Sequence, residues 1–398
     1  MNNEIIKEKT AQAIEILKEK NIDMWLTFVK ESSIIHDPSL DIILGMNLTW
    51  HSAVIINKDG ETTLILGDLE KDSAERTGIY KNIIPYTKSI KDILVNYLKK
   101  KNPNKIAINY SLNSSLADGL SHGLYLTLAD YLKGTGYENK LVSSEEIISA
   151  VKGRKSATEL KIMREAIKET LKIFNEVTSF IQPGKTEKDV AAFVKGLVEK
   201  RGFKMAWDED HCPSVFTGPN PASAHSGPSD RKIEKGHMVN MDFGIKLNGY
   251  CSDLQRTWYL LKDDEEKAPA NVQKGFEIIR DSIQKVAGSI KPGVKGVDMD
   301  KIARDYIVQS GYVEYPHGLG HQVGTQVHDG GAGLYPAWEK YGNTPFLELE
   351  ENMVLTVEPR LPVEGYGVST LEEEIVVTKK GCEFLSDVQK ELWLIKTK

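Results

Sequence analysis

Residues 239–254 read VNMDFGIKLNGYCSDL, and they are the most informative stretch of the chain. Two β-type runs flank the turn signal Asn248-Gly249, which predicts an antiparallel hairpin. Asp242 stands before this turn and Asp253 after it. A two- or four-residue loop puts an even-numbered and an odd-numbered residue on one face, so both carboxylates are expected there, near opposite each other. Two like charges that close favour a bound cation. The alternative is a hairpin with one exposed and one capping aspartate.

A second hairpin at residues 354–377 repeats this arrangement. The apolar run VLTV ends at Glu358, the turn EGYG follows at 364–367, and LEEEIVV returns at 371–377. Glu358 and Glu372 are equidistant from Gly365, so a hairpin centred there places the two carboxylates face to face. Glu358 ends an apolar strand, where an unpaired carboxylate is poorly solvated. For the acidic triplet 372–374 alone, a solvated strand is the alternative interpretation.

Three of the nine histidines, His317, His321 and His328, cluster in one glycine-rich segment. Imidazole binds metals and carries protons near neutral pH, although a single histidine is more often structural. Gly318-x-Gly320 is not a dinucleotide loop, because the third glycine is misplaced and no helix is expected to follow. Four carboxylates with one imidazole carry four negative charges, which match two divalent cations such as Mn²⁺, Co²⁺ or Zn²⁺. Hydrolysis is the natural chemistry of such a pair.

The composition is that of an ordinary globular protein of 398 residues with a net charge of −6. That charge disfavours a nucleic-acid partner, since phosphate backbones attract basic proteins. Three widely spaced cysteines favour reduced thiols in the cytoplasm over disulfides or a thiolate zinc cluster. No run approaches about 20 apolar residues, and no basic start precedes an apolar core, so neither a membrane span nor a signal peptide is predicted.

Two domains are expected. Residues 1–152 alternate helix and strand signals, which predicts an α/β domain. Glycine and clustered charges mark a boundary near residues 151–156, where Ser156 and Glu159 predict a capping box that opens a long helix to about Phe180. Residues 153–398 interleave further helices with strand-like runs, which predicts an α+β domain.

The order of these residues resembles the pita-bread metallopeptidases, and most closely their Xaa-Pro aminopeptidase (aminopeptidase P) and prolidase branch. The resemblance rests on the spacing of Asp242 and Asp253, the His-Gly-x-x-His segment at 317–321, Glu-Pro at 358–359, and a final glutamate before Val-Val-Thr. It extends from about Lys155 to the end. The part of the chain before it resembles the creatinase-type N-terminal domain of that branch. The implied fold is therefore an α/β creatinase-like domain at 1–152 and an α+β pita-bread catalytic (creatinase/aminopeptidase) domain at 153–398.

The resemblance also implies the functional residues. A dinuclear metal centre, most naturally of manganese with cobalt or zinc as alternatives, would be held by Asp242, Asp253, His321, Glu358 and Glu372. Asp253 and Glu372 would bridge the two ions, and Glu358 would also shuttle the proton. The substrate-side histidines would be His225, His317 and His328.

The implied activity is hydrolysis of the bond between an N-terminal residue and proline by hydroxide bound to the two metals. The implied partners are peptides with proline at the second position and a second copy of the chain, with no nucleic acid and no membrane. One alternative is a creatinase-like hydrolase that works without metal. Another is a pita-bread binding protein that has lost catalysis. The complete ligand set disfavours the creatinase-like alternative.

Two residues depart from the pattern of the resembled family. Gln255 stands where a threonine is usual, shortly after the second aspartate, and Thr370 stands where an arginine is common. That arginine usually pairs with an acidic group or meets a substrate carboxylate, so its absence weakens the case for dipeptide recognition. Residues 331–343 read as a loop insertion near the site, where it would narrow or reshape substrate access.

Overall fold

The computed structural model describes residues 3–219 and 227–397. The chain divides into two compact units, Met1–Lys152 and Gly153–Lys398, each with its own buried apolar cluster. Within the described ranges, no helix is long and apolar enough to cross a membrane.

The first unit is a mixed six-stranded sheet with helices. Its helices are α1 (Asn3–Glu19), α2 (Leu40–Ile43), α3 (Lys71–Thr77), α4 (Lys91–Lys101), α5 (His122–Leu132) and α6 (Glu145–Gly153). Its strands are β1 (Met24–Val29), β2 (Ser52–Asn57), β3 (Thr62–Gly67), β4 (Asn82–Tyr86), β5 (Ile106–Ile108) and β6 (Leu141–Ser143). They lie in the order β4-β3-β2-β1-β5-β6, antiparallel from β3 to β1 and parallel elsewhere.

The second unit has four long helices. They are α7 (Ala157–Phe180), α8 (Glu187–Lys200), α9 (Ala270–Ala287) and α10 (Gly296–Gln309). The Ser156 hydroxyl accepts a hydrogen bond from the Glu159 N–H, and the Glu159 carboxylate accepts one from the Ser156 N–H. This reciprocal contact satisfies two donors at the start of α7. The predicted capping box, and the predicted end at Phe180, are confirmed.

The strands of the second unit form several small sheets. They are β7 (Lys204–Met205), β8 (Ser214–Thr217), β9 (Met238–Phe243), β10 (Ile245–Leu247), β11 (Tyr250–Cys251), β12 (Leu254–Leu260), β13 (Val354–Val357), β14 (Arg360–Val363), β15 (Gly367–Thr370), β16 (Glu373–Val377), β17 (Cys382–Phe384) and β18 (Trp393–Ile395). The sheet orders are β11-β10-β7, β18-β12-β9-β8, β13-β16-β17 and β14-β15.

The apolar core of this unit lies between helices α9 and α10 and the strands β13 to β16. Phe276 and Ile279 of α9 are buried in one cluster with Leu355, Leu361 and Leu371 of the strand region. Burial of such side chains stabilises the unit by roughly 1.5–3 kcal/mol each. The backbone that presents the second pair of carboxylates is therefore anchored to the core.

The first hairpin has a two-residue loop, one of the two lengths that the sequence allowed. Asn248 and Gly249 both have positive φ, as a turn that matches strand twist requires, and their flanking residues pair across β10 and β11. The same hairpin continues into β9 and β12, where Asp242 pairs with Gln255. Asp242 and Asp253 therefore share a face as predicted, but as diagonal neighbours. The sequence predicted that the two carboxylates lie near opposite each other. In the structure Gln255 is opposite Asp242, and Asp253 lies two positions from it along the strand.

The second hairpin has the predicted register. Val357 pairs with Glu373, and Arg360 pairs with Thr370, so both sides of the interruption at Pro359 remain centred on Gly365. Proline lacks the N–H that a continuous ladder needs, which explains why β13 and β14 are separate strands.

Candidate metal centre

Backbone hydrogen bonds join the two hairpins and the histidine segment. The Glu372 N–H donates to the Gln255 carbonyl at 3.2 Å, which ties the second hairpin to the first. The Thr356 N–H donates to the His321 carbonyl at 2.9 Å, which ties the histidine segment to β13. Three parts of the chain that are far apart in sequence therefore meet at one place.

Carboxylate and imidazole groups converge at this junction. Ligand atoms of Asp253, His321 and Glu372 all lie within 4.8 Å of one another. His321 Nε2 is 3.6 Å from Asp253 Oδ2 and 3.5 Å from Glu358 Oε1. The carboxyl group of Asp242 is a hydrogen-bonding neighbour of that of Asp253. The structure thus brings together all five residues that the resemblance implied as ligands.

Several carboxylate oxygens of this cluster are buried and have no hydrogen-bond partner among the described residues. Among the described residues, no hydrogen-bond partner faces Asp242 Oδ1, Asp253 Oδ1 or either carboxylate oxygen of Glu372. A buried, unpaired carboxylate is costly, and such charges are normally paired or coordinate metals. Oxygen donors with one imidazole are also the donor set that suits first-row divalent cations. The residues present therefore fit a divalent metal ion.

Burial shifts the pKa of all four carboxyl groups in the cluster upward, and the charges of neighbouring carboxylates add to the shift at Asp253, Glu358 and Glu372. Burial raises the pKa of Asp242 to about 7. Burial, then the charges of Glu372 and Asp242, raise the pKa of Asp253 well above its ordinary value. Burial raises the pKa of Glu358, with Asp242 adding to it, and burial raises that of Glu372, with Glu358 adding to it. Burial lowers the pKa of His321 to about 3. Cations would compete with protons for these oxygens.

Metal-free protein is expected to lose stability as the pH rises through about 7. The folded pKa of Asp242 exceeds its ordinary 3.8, so the folded state holds this proton more tightly than the unfolded state does. That contribution is fully present below the unfolded pKa and is lost as pH rises through the folded pKa. Thermal unfolding in chelator at about pH 5.5 and about pH 8 measures it. Mn²⁺ should reduce the fall, and Asp242→Asn should show a smaller one. An unfolding temperature that stays level without metal would contradict the expectation.

The two departures from the family pattern contact each other. The Thr370 hydroxyl donates to Gln255 Oε1 at 2.7 Å, and Gln255 Nε2 donates to Glu358 Oε2 at 3.3 Å. Because the Thr370 hydroxyl occupies the amide oxygen, the amide NH₂ faces the Glu358 carboxylate. Gln255 thereby orients Glu358, so the two unusual residues act as one unit.

The acidic triplet 372–374 is fully buried, so its interpretation as a solvated strand is wrong. Arg256 and Glu373 form an ion pair at 3.0 Å with both side chains 0% exposed. Arg256 also donates to the carbonyl oxygens of Gln255 and Glu372. Glu374 Oε1 accepts a hydrogen bond from the Asp253 N–H at 2.8 Å. The sequence did not predict the supporting roles of Arg256, Glu373 and Glu374. The signal that could have indicated them is Arg256 itself, a charged residue inside the otherwise largely apolar strand β12.

Replacing Arg256 with methionine is expected to destabilise the protein by about 3–5 kcal/mol, since it leaves the Glu373 carboxylate buried and unpaired. Urea unfolding of metal-free protein measures the loss. The control is Arg280→Met, which removes a partly exposed guanidinium from its pair with Asp281 and should cost under about 1 kcal/mol. Equal unfolding midpoints for the two variants would contradict a supporting role for Arg256.

The three predicted substrate-side histidines differ in placement. His328 is exposed, and its ring packs edge-on against His321 with centroids 4.3 Å apart. His317 is partly buried, its carbonyl accepts a hydrogen bond from Arg304, and burial lowers its pKa to about 4. Within residues 3–219 and 227–397, His317 makes no hydrogen bond, ion pair or ring contact with the five clustered residues. His225 lies outside the described residues.

The predicted loop insertion at 331–343 packs over the histidine segment. The Gly318 N–H donates to the Tyr341 hydroxyl at 2.9 Å, and the Tyr335 and Tyr341 rings stack with centroids 4.4 Å apart. A Cβ on Gly318 would approach Tyr335 within 2.1 Å, so glycine is required for this close packing. The loop is thus fixed against residues next to His317.

Comparison with known proteins assigns the class. The profile of metallopeptidase family M24 matches residues 161–379, more than half of the chain. The chain belongs to this family, which confirms the resemblance and implies a divalent metal ion.

Individual relatives match nearly the whole chain. It is 28% identical over 391 residues to an Xaa-Pro dipeptidase from Pyrococcus horikoshii, covering 98% of this chain and 99% of that one. An uncharacterised peptidase from Staphylococcus aureus is 29% identical over 340 residues, covering 85% of this chain and 88% of its own.

Solved structures share the fold. An Xaa-Pro dipeptidase from Bacillus anthracis superposes with a TM-score of 0.75 at 24% identity, over 98% of this chain and 100% of that one. A prolidase from P. horikoshii gives a TM-score of 0.69 at 26% identity, over 97% and 99%. The predicted fold class, an α/β N-terminal domain with an α+β pita-bread domain, is confirmed.

Proposed function

We propose that this protein is a metal-dependent Xaa-Pro peptidase that hydrolyses the bond between an N-terminal residue and proline. The single observation that supports this most is a cluster of carboxylates next to one imidazole, in which four buried oxygens lack hydrogen-bond partners among the described residues. The relatives named Xaa-Pro dipeptidase and prolidase supply the substrate class.

Two divalent ions would be held by Asp242, Asp253, His321, Glu358 and Glu372, and manganese is the preferred metal. Asp253 and Glu372 are the bridging candidates, because both are buried in the group of closest ligand atoms. Once bound, two cations would lower the pKa of a water and polarise the scissile carbonyl.

Glu358 is the candidate proton carrier. Its Oε1 faces His321 Nε2, while Gln255 holds its Oε2, so one oxygen is oriented and the other faces the cluster. The carboxylate would take the proton of the attacking water and give it to the proline nitrogen as the C–N bond breaks. Without that proton, a secondary amine leaves poorly.

The histidines would act on the substrate side. His328 lies against His321, where an exposed imidazole can meet a substrate oxygen. His317 would donate as a neutral imidazole, since its pKa lies near 4. His225 is proposed on its sequence position alone.

The remaining features are also proposals. Residues 153–398 would form the catalytic domain, and residues 1–152 a creatinase-like N-terminal domain. A homodimer and a cytoplasmic location stay predictions from the sequence.

A peptide-library digest tests the proposal. Purified protein with Mn²⁺ should cleave peptides with proline at the second position and release the first residue, while a chelator control should leave them intact. Cleavage of creatine-like compounds without metal would favour the creatinase-like alternative. Metal binding without cleavage of any peptide would favour a non-catalytic protein.

A further inference from the structure

Lys155 and Asp329 form an ion pair in the interior of the second unit. Lys155 Nζ lies 2.9 Å from Asp329 Oδ2, and the two side chains are 1% and 2% exposed. Neither residue belongs to the carboxylate cluster, and neither has a role in the chemistry described above. Burying two charges is costly, so a pair of this kind adds little net stability. The segment that folds around the pair indicates its role.

That segment is the loop of residues 322–329, which carries His328. The Asp329 carboxylate accepts hydrogen bonds at Oδ1 from the Thr325 hydroxyl at 3.1 Å and from the Gln326 N–H at 3.3 Å. Its other oxygen, Oδ2, faces the lysine ammonium group. The loop therefore folds around a carboxylate whose charge the paired ammonium group neutralises.

The loop backbone packs directly against the ion pair. A Cβ built on Gly324 would lie 2.1 Å from Asp329 Oδ2 and 2.6 Å from Lys155 Nζ, so glycine is required beside the two charged groups. The Asp329 N–H also donates to the Gln322 carbonyl at 2.9 Å, which joins the two ends of the loop. The shape of the loop and the position of the ion pair are thus fixed together.

Lys155 reaches this loop from an anchored backbone. Its N–H donates to the Asn352 carbonyl at 3.0 Å. The next residue, Ser156, caps helix α7. The ammonium group therefore extends from the start of a long helix, and it holds Asp329 at a defined point.

His328 is the functional candidate that depends on this arrangement. It directly precedes Asp329, and its exposed ring packs edge-on against His321 with centroids 4.3 Å apart. Because an exposed side chain is less confined by packing than a buried one, the place of this ring depends on the backbone that carries it. Releasing Asp329 from Lys155 would let that backbone shift.

We propose that Lys155 is a positioning residue, which acts through Asp329 to hold the 322–329 loop in the shape that places the His328 imidazole for the substrate. This inference rests on the proposed function, in which His328 acts on the substrate side. Misplacing a substrate-contacting group by about 1 Å can lower the rate on the order of 10²-fold. Lys155 should therefore affect turnover only while the imidazole of His328 is present.

A double-mutant cycle tests this dependence. Hydrolysis of alanyl-proline is measured for Mn²⁺-loaded wild type, Lys155→Met, His328→Ala and the double variant. Lys155→Met should lower kcat by about 10–100-fold and leave the metal content unchanged. The same substitution in His328→Ala should change kcat by less than about twofold, since no imidazole is left to misplace. Losses that multiply would show that Lys155 acts independently of His328 and would overturn the inference.

Two further variants support the cycle. Lys172→Met is the control, because Lys172 pairs with Glu169 on the surface of α7 and should leave kcat unchanged. Thr325→Val removes one hydrogen bond to Asp329 but keeps the ion pair, so it takes the place of Lys155→Met if that variant does not fold. It should lower kcat by about two- to tenfold, and only when His328 is present. An equal loss with and without His328 would overturn the inference.

Amide hydrogen exchange separates this inference from the proposed function, because it needs no turnover. Exchange within residues 322–329 should be about tenfold faster in Lys155→Met than in wild type, while helix α9 should exchange at the same rate in both. Equal exchange of the loop in the two proteins would overturn the inference. If His328→Ala keeps the kcat of wild type, the substrate-side role of His328 fails, and the inference fails with it. If loaded wild type cleaves no peptide with proline at the second position, the proposed function fails, while exchange still decides whether Lys155 holds the loop.

Discussion

Turnover of Glu358→Gln is expected to fall by about 10²–10⁴-fold, while KM changes little and both metal ions stay bound. Glutamine keeps the shape of glutamate and can still offer a carbonyl oxygen to a cation. It cannot accept a proton, however, and proton transfer to the proline nitrogen lies on the path to bond cleavage. The hydrogen bond from Gln255 fixes one carboxylate oxygen, so the proton is expected at Oε1, which faces His321.

Metal content decides how this result is interpreted. Kinetics at saturating Mn²⁺ must be paired with elemental analysis, because loss of metal would also lower turnover. Glu364→Gln is the matched control, since Glu364 is exposed in the loop of the same hairpin. A Glu358→Gln variant that holds both ions and keeps wild-type turnover would exclude Glu358 as the proton carrier. His225 or His328 would then be the better candidate.

Asp253→Asn is expected to lose metal at both positions, and with it the metal-dependent activity. The charges of Glu372, Asp242 and Glu358 all raise the pKa of Asp253, so this carboxylate lies among the other three. Asp242 pairs with Gln255 on the hairpin and so lies diagonal to Asp253. Asp242→Asn should therefore retain one ion better than Asp253→Asn does.

Metal stoichiometry and circular dichroism test this difference. The dichroism spectrum of Asp253→Asn should match that of wild type, since asparagine preserves the side-chain volume. Asp263→Asn is the control, because Asp263 is an exposed aspartate paired with Lys235. Two ions per chain in Asp253→Asn would refute the bridging role.

The face on which each hairpin carries its carboxylates could be predicted because it depends on local sequence. Asn248-Gly249 indicates a short hairpin loop, and either even loop length that the sequence allowed puts Asp242 and Asp253 on one face. The prediction that Glu358 and Glu372 face each other about Gly365 also depended only on local sequence, and the register agrees with it. The diagonal relation of Asp242 and Asp253 was missed because their parity fixes the face but not the partner, which is Gln255.

The surroundings of the site could not be predicted, because they depend on contacts between distant segments. Gln255 and Glu372 meet through backbone hydrogen bonds although they are far apart in sequence. At the same junction Arg256 pairs with Glu373, and the Asp253 N–H donates to Glu374. In the sequence, Thr370 stands at a position where the family commonly has an arginine. In the structure, Arg360 is its direct cross-strand partner.

Activity of metal-free protein on an Xaa-Pro peptide tests the central claim most directly. The protein is treated with chelator, shown by elemental analysis to contain no metal, and assayed before and after Mn²⁺ is restored. Asp242 Oδ1, Asp253 Oδ1 and both Glu372 oxygens have no hydrogen-bond partner among the described residues, so activity should be absent without metal and return with Mn²⁺ or Co²⁺. Full activity in protein that holds no metal would contradict the account.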